Sequence, residues 1–404
     1  MSHLLFLCHP DHGHVIPNLA MVTELVARGH RVTYLTSPSM AELVTSAGAE
    51  LLPYPSRYRD ADFTLMENDP GYLMELLVDE GEAMLATATR ELPEPPDLVV
   101  YDTSMLYAGR ILAPHWNRPA VQVIPVFASN EHFSFLNAMY NPRSVENEKP
   151  AVERPAAPPA WVGATMRRID ALRTEYGVQA PPQEIWFAVP PLSVVTVPRE
   201  FQYAGDTFDE RFVFVGPCVG DRGFLGDWEP PTTDLPVVLV SLGAVFNEHA
   251  EFFRTCVQAF RGRPWHAVMT LGEGMDPDAL GPLPDNVEVH RWVPHVAVLS
   301  RASLCLTHAG MGTVMEALRA GVPMVAAPSA ALDRPTAWRL RDLGLGTVLD
   351  PAGMTAEDIV SAIAQVLDDP GMRERSARMR DAVADAGGSA RAADAIEQHL
   401  AAVR

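Results

Sequence analysis

The 404-residue sequence predicts an α/β protein of two tandem doubly wound domains, each a parallel sheet with helices on both faces, the two facing across a cleft. Three observations carry this. Residues 1–55 alternate period-two apolar runs with helical periodicity, as a βαβαβ unit does. The alternation resumes at 97–102, and a second series of strand-like runs separated by helical stretches begins near Phe212.

Taken in order, residues 4–8 are apolar and read as a buried strand. Along 15–28, Leu19, Val22 and Val26 share one helical stripe, and Gly29 follows where a left-handed cap is expected. Residues 31–36 form the next strand, 38–47 a helix with Pro38 in its first turn and Gly48 after its end, and 50–53 a third strand. After the strand at 97–102 come a helix over 105–116 and a strand at 120–124. Between 127 and 191 the pattern loosens: prolines cluster at 155, 158, 159, 181, 182, 190 and 191 around a charged helix over 160–176, which reads as an insertion or lid beside a site. The second series places strands near 212 and at 236–241, 265–271, 287–291, 303–307, 323–326 and 346–349. Residues 1–208 are thus assigned to the first domain and 209–387 to the second, with the crevice at the strand carboxyl ends as the expected binding site.

Composition narrows the function. With 31 basic against 51 acidic side chains the net charge is −20, which excludes the broad cationic face that nucleic-acid binding needs, so an anionic ligand must be held by local donors. A chain 48% hydrophobic and 20% charged is neither disordered nor fibrous. The four cysteines, Cys8, Cys218, Cys256 and Cys305, are scattered without a C-x-x-C, as expected of reduced thiols in a cytoplasmic protein. No basic lead-in precedes the first apolar run and no stretch of about 20 apolar residues follows, so neither a signal peptide nor a membrane span is expected.

Three segments carry chemistry. The run Leu304-Cys305-Leu306-Thr307-His308-Ala309-Gly310-Met311-Gly312-Thr313 is a strand, a glycine-bearing turn and the start of a helix over 314–320. There backbone N–H groups, the Thr313 hydroxyl and His308 can meet an anion; alternatively the glycines serve turn geometry only. The run His9-Pro10-Asp11-His12-Gly13-His14 follows the first strand, where open-sheet enzymes place working residues. Three histidines and an aspartate suit a metal, but no H-E-x-x-H or distant ligand set accompanies them, and no metal is expected. Asp102 ends an apolar strand and projects into the same crevice; it either caps the next helix or orients a histidine as half of a general-base dyad.

Together these residues resemble the bacterial macrolide-type glycosyltransferases of the UDP-glycosyltransferase superfamily. The resemblance runs from His14-Val15-Ile16-Pro17 to the last helix near Arg404, and its specific segments are Val240-Ser241-Leu242-Gly243, residues 283–294 and His308 through Glu316. It implies the GT-B fold, two Rossmann-like domains with the C-terminal helix at 388–404 packing back on the first. It also implies that His14 is the base and Asp102 its support, that Trp292 stacks on the nucleotide base, and that His308, Gly310, Gly312 and Thr313 cradle the diphosphate beside Gly243. Glu316 is implied to hold the ribose hydroxyls. Three positions depart from the family pattern. Ala244 replaces a serine or threonine, His295 a glutamine after Trp-x-Pro, and the donor-sugar Asp-Gln pair is Asp333-Arg334. An inward Arg334 would suit an acidic sugar; an outward one is an ordinary solvated arginine.

The expected activity is an inverting, metal-independent transfer from a nucleoside diphosphate sugar (UDP- or TDP-linked) to a hydroxyl of a small apolar natural product such as a macrolide. That sugar serves as co-substrate, with no cofactor, and a homodimer stays open. His14 acting as base suits a near-neutral pKa. Two other readings remain: a sugar-nucleotide epimerase of the same fold, and a catalytically idle homologue that activates a partner. A nicotinamide dehydrogenase is disfavoured because residues 8–13 lack G-x-G-x-x-G.

Overall fold

A computed structural model of the chain describes residues 1–62, 65–66, 69–140, 160–220, 228–243, 249–272 and 275–403. In chain order to residue 214 its elements are β1 (His3–Leu7), α1 (His12–Ala27), β2 (Arg31–Thr36), α2 (Ala41–Ser46), β3 (Glu50–Pro53), α3 (Pro70–Glu91), β4 (Leu98–Asp102), α4 (Leu106–His115), β5 (Ala120–Ile124), α5 (Phe135–Tyr140), α6 (Ala160–Glu175), α7 (Pro182–Phe187), β6 (Ser193–Val195) and β7 (Phe212–Phe214). There follow β8 (Val237–Ser241), α8 (Ala250–Phe260), β9 (His266–Thr270), β10 (Val287–His290), α9 (His295–Leu299), β11 (Ala302–Thr307), α10 (Met311–Ala320), β12 (Met324–Ala326), α11 (Arg334–Asp342), β13 (Gly346–Val348), α12 (Ala356–Asp368), α13 (Pro370–Asp385) and α14 (Gly388–Ala402).

The chain divides into two compact units. The first comprises Met1–Asn130, Ala151–Gly220 and Ala386–Arg404. Its strands form one parallel sheet in the order β3-β2-β1-β4-β5-β6-β7. Strand periodicity sends alternate side chains to opposite faces. Leu4, Phe6, Val32, Tyr34, Leu98 and Val100 are buried with α1 and α14, through Leu19, Val22, Ala392 and Ile396. Leu5, Leu7, Val99 and Tyr101 are buried on the other side with α3, α4 and α6. Strand order reverses between β1 and β4, so the segments leaving those two strands diverge and leave room for a site.

The second unit comprises Glu131–Pro150 and Asp221–Asp385. Its parallel sheet runs β10-β9-β8-β11-β12-β13, and Val238, Val240, Ala267, Met269, Leu304 and Leu306 pack with α8 and α12 through Phe253, Phe260, Ile359 and Ile363. Here the reversal lies between β8 and β11.

Several expectations are corrected. The short run at Phe212 closes the first sheet, pairing with β6, rather than opening the second. The first unit accordingly runs on past β7 to Gly220. Helix α3, capped by the Asp69 side chain with Pro70 in its first turn, fills a stretch that periodicity left unassigned. Helices α1 and α10 begin three residues earlier than predicted, which brings His14 and both Gly312 and Thr313 into first turns. Ala244 lies outside the described residues.

Candidate active site

In the first unit the working residues gather at the β1/β4 reversal. Asp11 caps α1, accepting from Gly13 N at 2.6 Å, and this sets His14 in the first helical turn. His14 Nδ1 lies 2.7 Å from Asp102 Oδ1 at the end of β4. Asp102 also accepts from Ser104 N at 2.8 Å and Ser104 Oγ at 2.7 Å, so it caps the next turn and holds the histidine at once. Asn18, one turn along α1, donates to the His14 carbonyl at 3.0 Å and stands 3.5 Å from Asp102 Oδ2. His9 meets His14 edge-on, ring centroids 4.6 Å apart, and its Nδ1 is 2.7 Å from Ser104 Oγ. Because that hydroxyl donates to Asp102, it accepts from His9.

The loop after β3 braces this cluster. Buried Glu80 on α3 accepts from the Tyr54 hydroxyl, from Ser56 Oγ at 2.6 Å and from Arg57 N at 2.7 Å. The loop so held presents the Tyr58 hydroxyl to Asp11.

Electrostatics follow from these contacts. Burial opposes a charge on His14, yet the Asp102 carboxylate, its hydrogen bond and Asp11 outweigh that and push the imidazole up to about 9. This is well above the near-neutral titration expected from sequence. Burial would raise Asp102, but the His14 charge and the bonds from His14 and Ser104 hold it below the usual carboxylate range. Burial, then repulsion from His14, push His9 down to about 4 and leave it neutral. Among the described residues Cys8, His9 and Asp102 place possible ligand atoms within 4.8 Å of one another, while His9 Nδ1 is bonded to Ser104 and Asp102 Oδ1 to His14. His12 is not in that group.

In the second unit another cluster gathers at the β8/β11 reversal. His308 follows β11, and two glycines make room for its ring. A Cβ on Gly243 would stand 2.7 Å from its Cε1, and one on Gly310 2.2 Å from its Nε2. Gly243 also has φ +79°, which only glycine adopts without strain. Gly310 caps α10, whose first-turn N–H groups have no intrahelical acceptor. A Cβ on Gly312 would meet no atom within 4 Å beyond its chain neighbours and its own helical backbone, so packing does not demand this helix-weakening residue. Thr313 and Glu316 are buried on the same helix. His295, opening α9, lies 3.6 Å through Nδ1 from Glu316 Oε2 and 3.2 Å through Nε2 from Thr270 Oγ1. Trp292 is half-buried on the segment between β10 and α9. Asp333 ends the connection after β12 and Arg334 opens α11: Asp333 is buried and accepts from Ala330 N at 3.2 Å, while Arg334 is exposed. Burial, offset in part by that bond and by Arg334, pushes Asp333 up to about 7.

The structure thus joins His14 with Asp102, and His308 with Gly243 and Gly310, each within its own unit. Sequence reading missed Ser104, Asn18, His9 as a partner of Ser104, and Tyr58. Ser104 two residues after Asp102 and Asn18 four after His14 were visible as local spacings; the Tyr58 contact spans 47 residues and left no local signal. Phe127, where the loosened segment begins, is core, stacked on Phe201 at 5.6 Å.

Residues 266–397 match the family model described as the C-terminal domain of erythromycin biosynthesis protein CIII-like proteins. The chain is 39% identical over 417 residues to demethyllactenocin mycarosyltransferase of Streptomyces fradiae, covering 98% of this chain and 86% of that one. The chain belongs to the macrolide-type UDP-glycosyltransferases. This glycosyltransferase is also 36% identical to oleandomycin glycosyltransferase of Streptomyces antibioticus, over 99% of this chain and 91% of that one. The crystal structure of CalG4, the calicheamicin glycosyltransferase, aligns with a TM-score of 0.87 at 43% identity over 99% of this chain and 98% of that one. The fold is therefore GT-B, and the protein is a glycosyltransferase, an enzyme that transfers sugar from a nucleotide sugar. Among the described residues no helix is long and apolar enough to cross a membrane.

Proposed function

We propose that this glycosyltransferase works by inversion, without a metal, on a hydroxyl of a small apolar natural product such as a macrolide or other polyketide, with a UDP- or TDP-linked sugar as donor. The observation that carries the reading is the 2.7 Å contact between His14 Nδ1 and the buried Asp102 carboxylate. It leaves Nε2 to take the acceptor proton as the oxygen attacks the anomeric carbon. The bond from that carbon to the diphosphate breaks with its electron pair, and configuration inverts. Charge growing on the leaving diphosphate is met by His308, the Thr313 hydroxyl and the first-turn N–H groups of α10, donors already fixed in place. Trp292 stacks on the base, Glu316 binds the ribose, and Asp333 with Arg334 meets the sugar.

The test is a panel of UDP- and TDP-linked sugars, neutral and acidic, with mixed apolar acceptors, read by mass, with the anomeric configuration of any product read by NMR and parallel reactions in EDTA. Adducts of inverted configuration that form equally in EDTA are expected. Retained configuration, loss of activity with EDTA, or no adduct from any donor would refute the corresponding part.

A further inference from the structure

The Asp102 carboxylate is held unevenly. Its Oδ1 accepts from His14 Nδ1 at 2.7 Å, from Ser104 N at 2.8 Å and from Ser104 Oγ at 2.7 Å, whereas Oδ2 meets the Asn18 amide at 3.5 Å. A ring and a backbone amide are fixed donors, but a serine hydroxyl turns about its bond and carries one hydrogen. Ser104 is half-buried, so water can compete for that hydrogen. His9 removes the choice. Its ring is buried with Nδ1 2.7 Å from Ser104 Oγ, and its carbonyl accepts from Asp11 N at 2.9 Å in the turn that leads into α1. If Ser104 donated to Nδ1, its lone pairs would face the carboxylate at 2.7 Å, which is repulsive. The favourable order is therefore His9 N–H to Ser104, then Ser104 O–H to Asp102, and a hydroxyl that accepts one hydrogen bond donates the next more strongly.

We propose that His9 is a positioning residue for the transfer: its Nδ1–H aims the Ser104 hydroxyl at Asp102, and the carboxylate so pinned holds the His14 ring with Nε2 turned to the acceptor hydroxyl. His9 acts through Ser104 and Asp102 rather than on a reacting atom. The proposal rests on the reading of His14 as the base, and it gives the first of the three histidines in the 9–14 run a function of its own.

Transfer kinetics with an active donor and acceptor pair test it. His9→Phe keeps a ring edge-on to His14 but lacks the N–H, and His9→Leu lacks both without added bulk. Each should lower kcat about five- to tenfold, with both KM values and UDP affinity within about twofold of wild type. His9→Asn sets an amide N–H where Nδ1 stood and should recover kcat to within about twofold of wild type. In a Ser104→Ala background the hydroxyl to be aimed is gone, so His9→Phe should lower kcat by less than about twofold further. The proposal is overturned by kcat within about twofold of wild type in either His9→Phe or His9→Leu, by an equal fold-loss in the Ser104→Ala background, or by no recovery in His9→Asn. His14→Ala, run alongside, separates this proposal from the reading beneath it. Transfer within about tenfold of wild type there removes the base and this proposal with it; a loss of at least about a thousandfold confines any failure of the His9 variants to this proposal alone.

Discussion

Replacing Asp102 by asparagine keeps the shape of the His14 contact and removes its charge. The structure holds the imidazole up at about 9 against an ordinary 6.5, worth about 3 kcal/mol of imidazolium stabilisation at about 1.4 kcal/mol per unit. With the ring 22% exposed, solvent makes that an upper bound. Two consequences follow for the wild-type enzyme. The stabilisation is fully present below pH 6.5 and is lost as pH rises through 9, because the folded state holds a proton that the unfolded chain has released. Catalysis runs the other way: only neutral His14 accepts a proton, so kcat/KM should rise about a hundredfold from pH 7 to a plateau above pH 9, with its inflection near 9. In Asp102→Asn the inflection should move well down, because burial then opposes the charge with only Asp11 to offset it, and the plateau should be lower by about 10²–10⁴ because tautomer and imidazolium support are both gone. Transfer rates across pH, with the His14 ring titrated by NMR, read both. A wild-type profile flat from pH 6 to 9, or an inflection that stays near 9 in the mutant, would refute the reasoning.

Other outcomes follow from specific contacts. Gly310→Ala puts a methyl where the His308 ring lies and should weaken UDP binding at least about tenfold in a calorimeter while the melting temperature moves only a few degrees. Arg28 joins Glu24, Asp394 and Glu397 and so ties α14 to α1. These pairs are partly exposed, so Arg28→Ala should cost only about 1–2 kcal/mol and lower Tm by a few degrees, with the difference shrinking in high salt. Ile396→Ala on α14 opens a cavity beneath the same helix and should cost about 2–5 kcal/mol in denaturant titration, more than the ion pairs. Ser104→Ala removes the hydroxyl that bridges His9 and Asp102 and should lower kcat several-fold without altering donor affinity.

The strand series was legible because buried parallel strands read as apolar runs and glycines mark the turns that follow them, whereas the strand order within each sheet was not. The pairing partner of a three-residue run such as Phe212–Phe214 is not written in its own residues, which is why it was misassigned to the second sheet. Helix α3 was obscured because Glu80 sits on its buried side, where its charge breaks the apolar stripe; only the folded loop at Tyr54–Arg57 explains it. His14 and Asp102 could be paired from their strand ends, but the upward titration of His14 depends on burial and on Asp11, which capping brings close. The exposure of Arg334 and the contact between His295 and Glu316 are likewise facts of packing.

The central claim separates chemistry on His14 in the first unit from donor binding on the His308 turn in the second. Its most direct test is His14→Ala, measured for transfer with an active donor and acceptor pair and, in the same preparation, for UDP affinity. The account predicts transfer reduced by at least about a thousandfold with UDP affinity unchanged. Transfer within tenfold of wild type, or a matching loss of UDP binding, would contradict it.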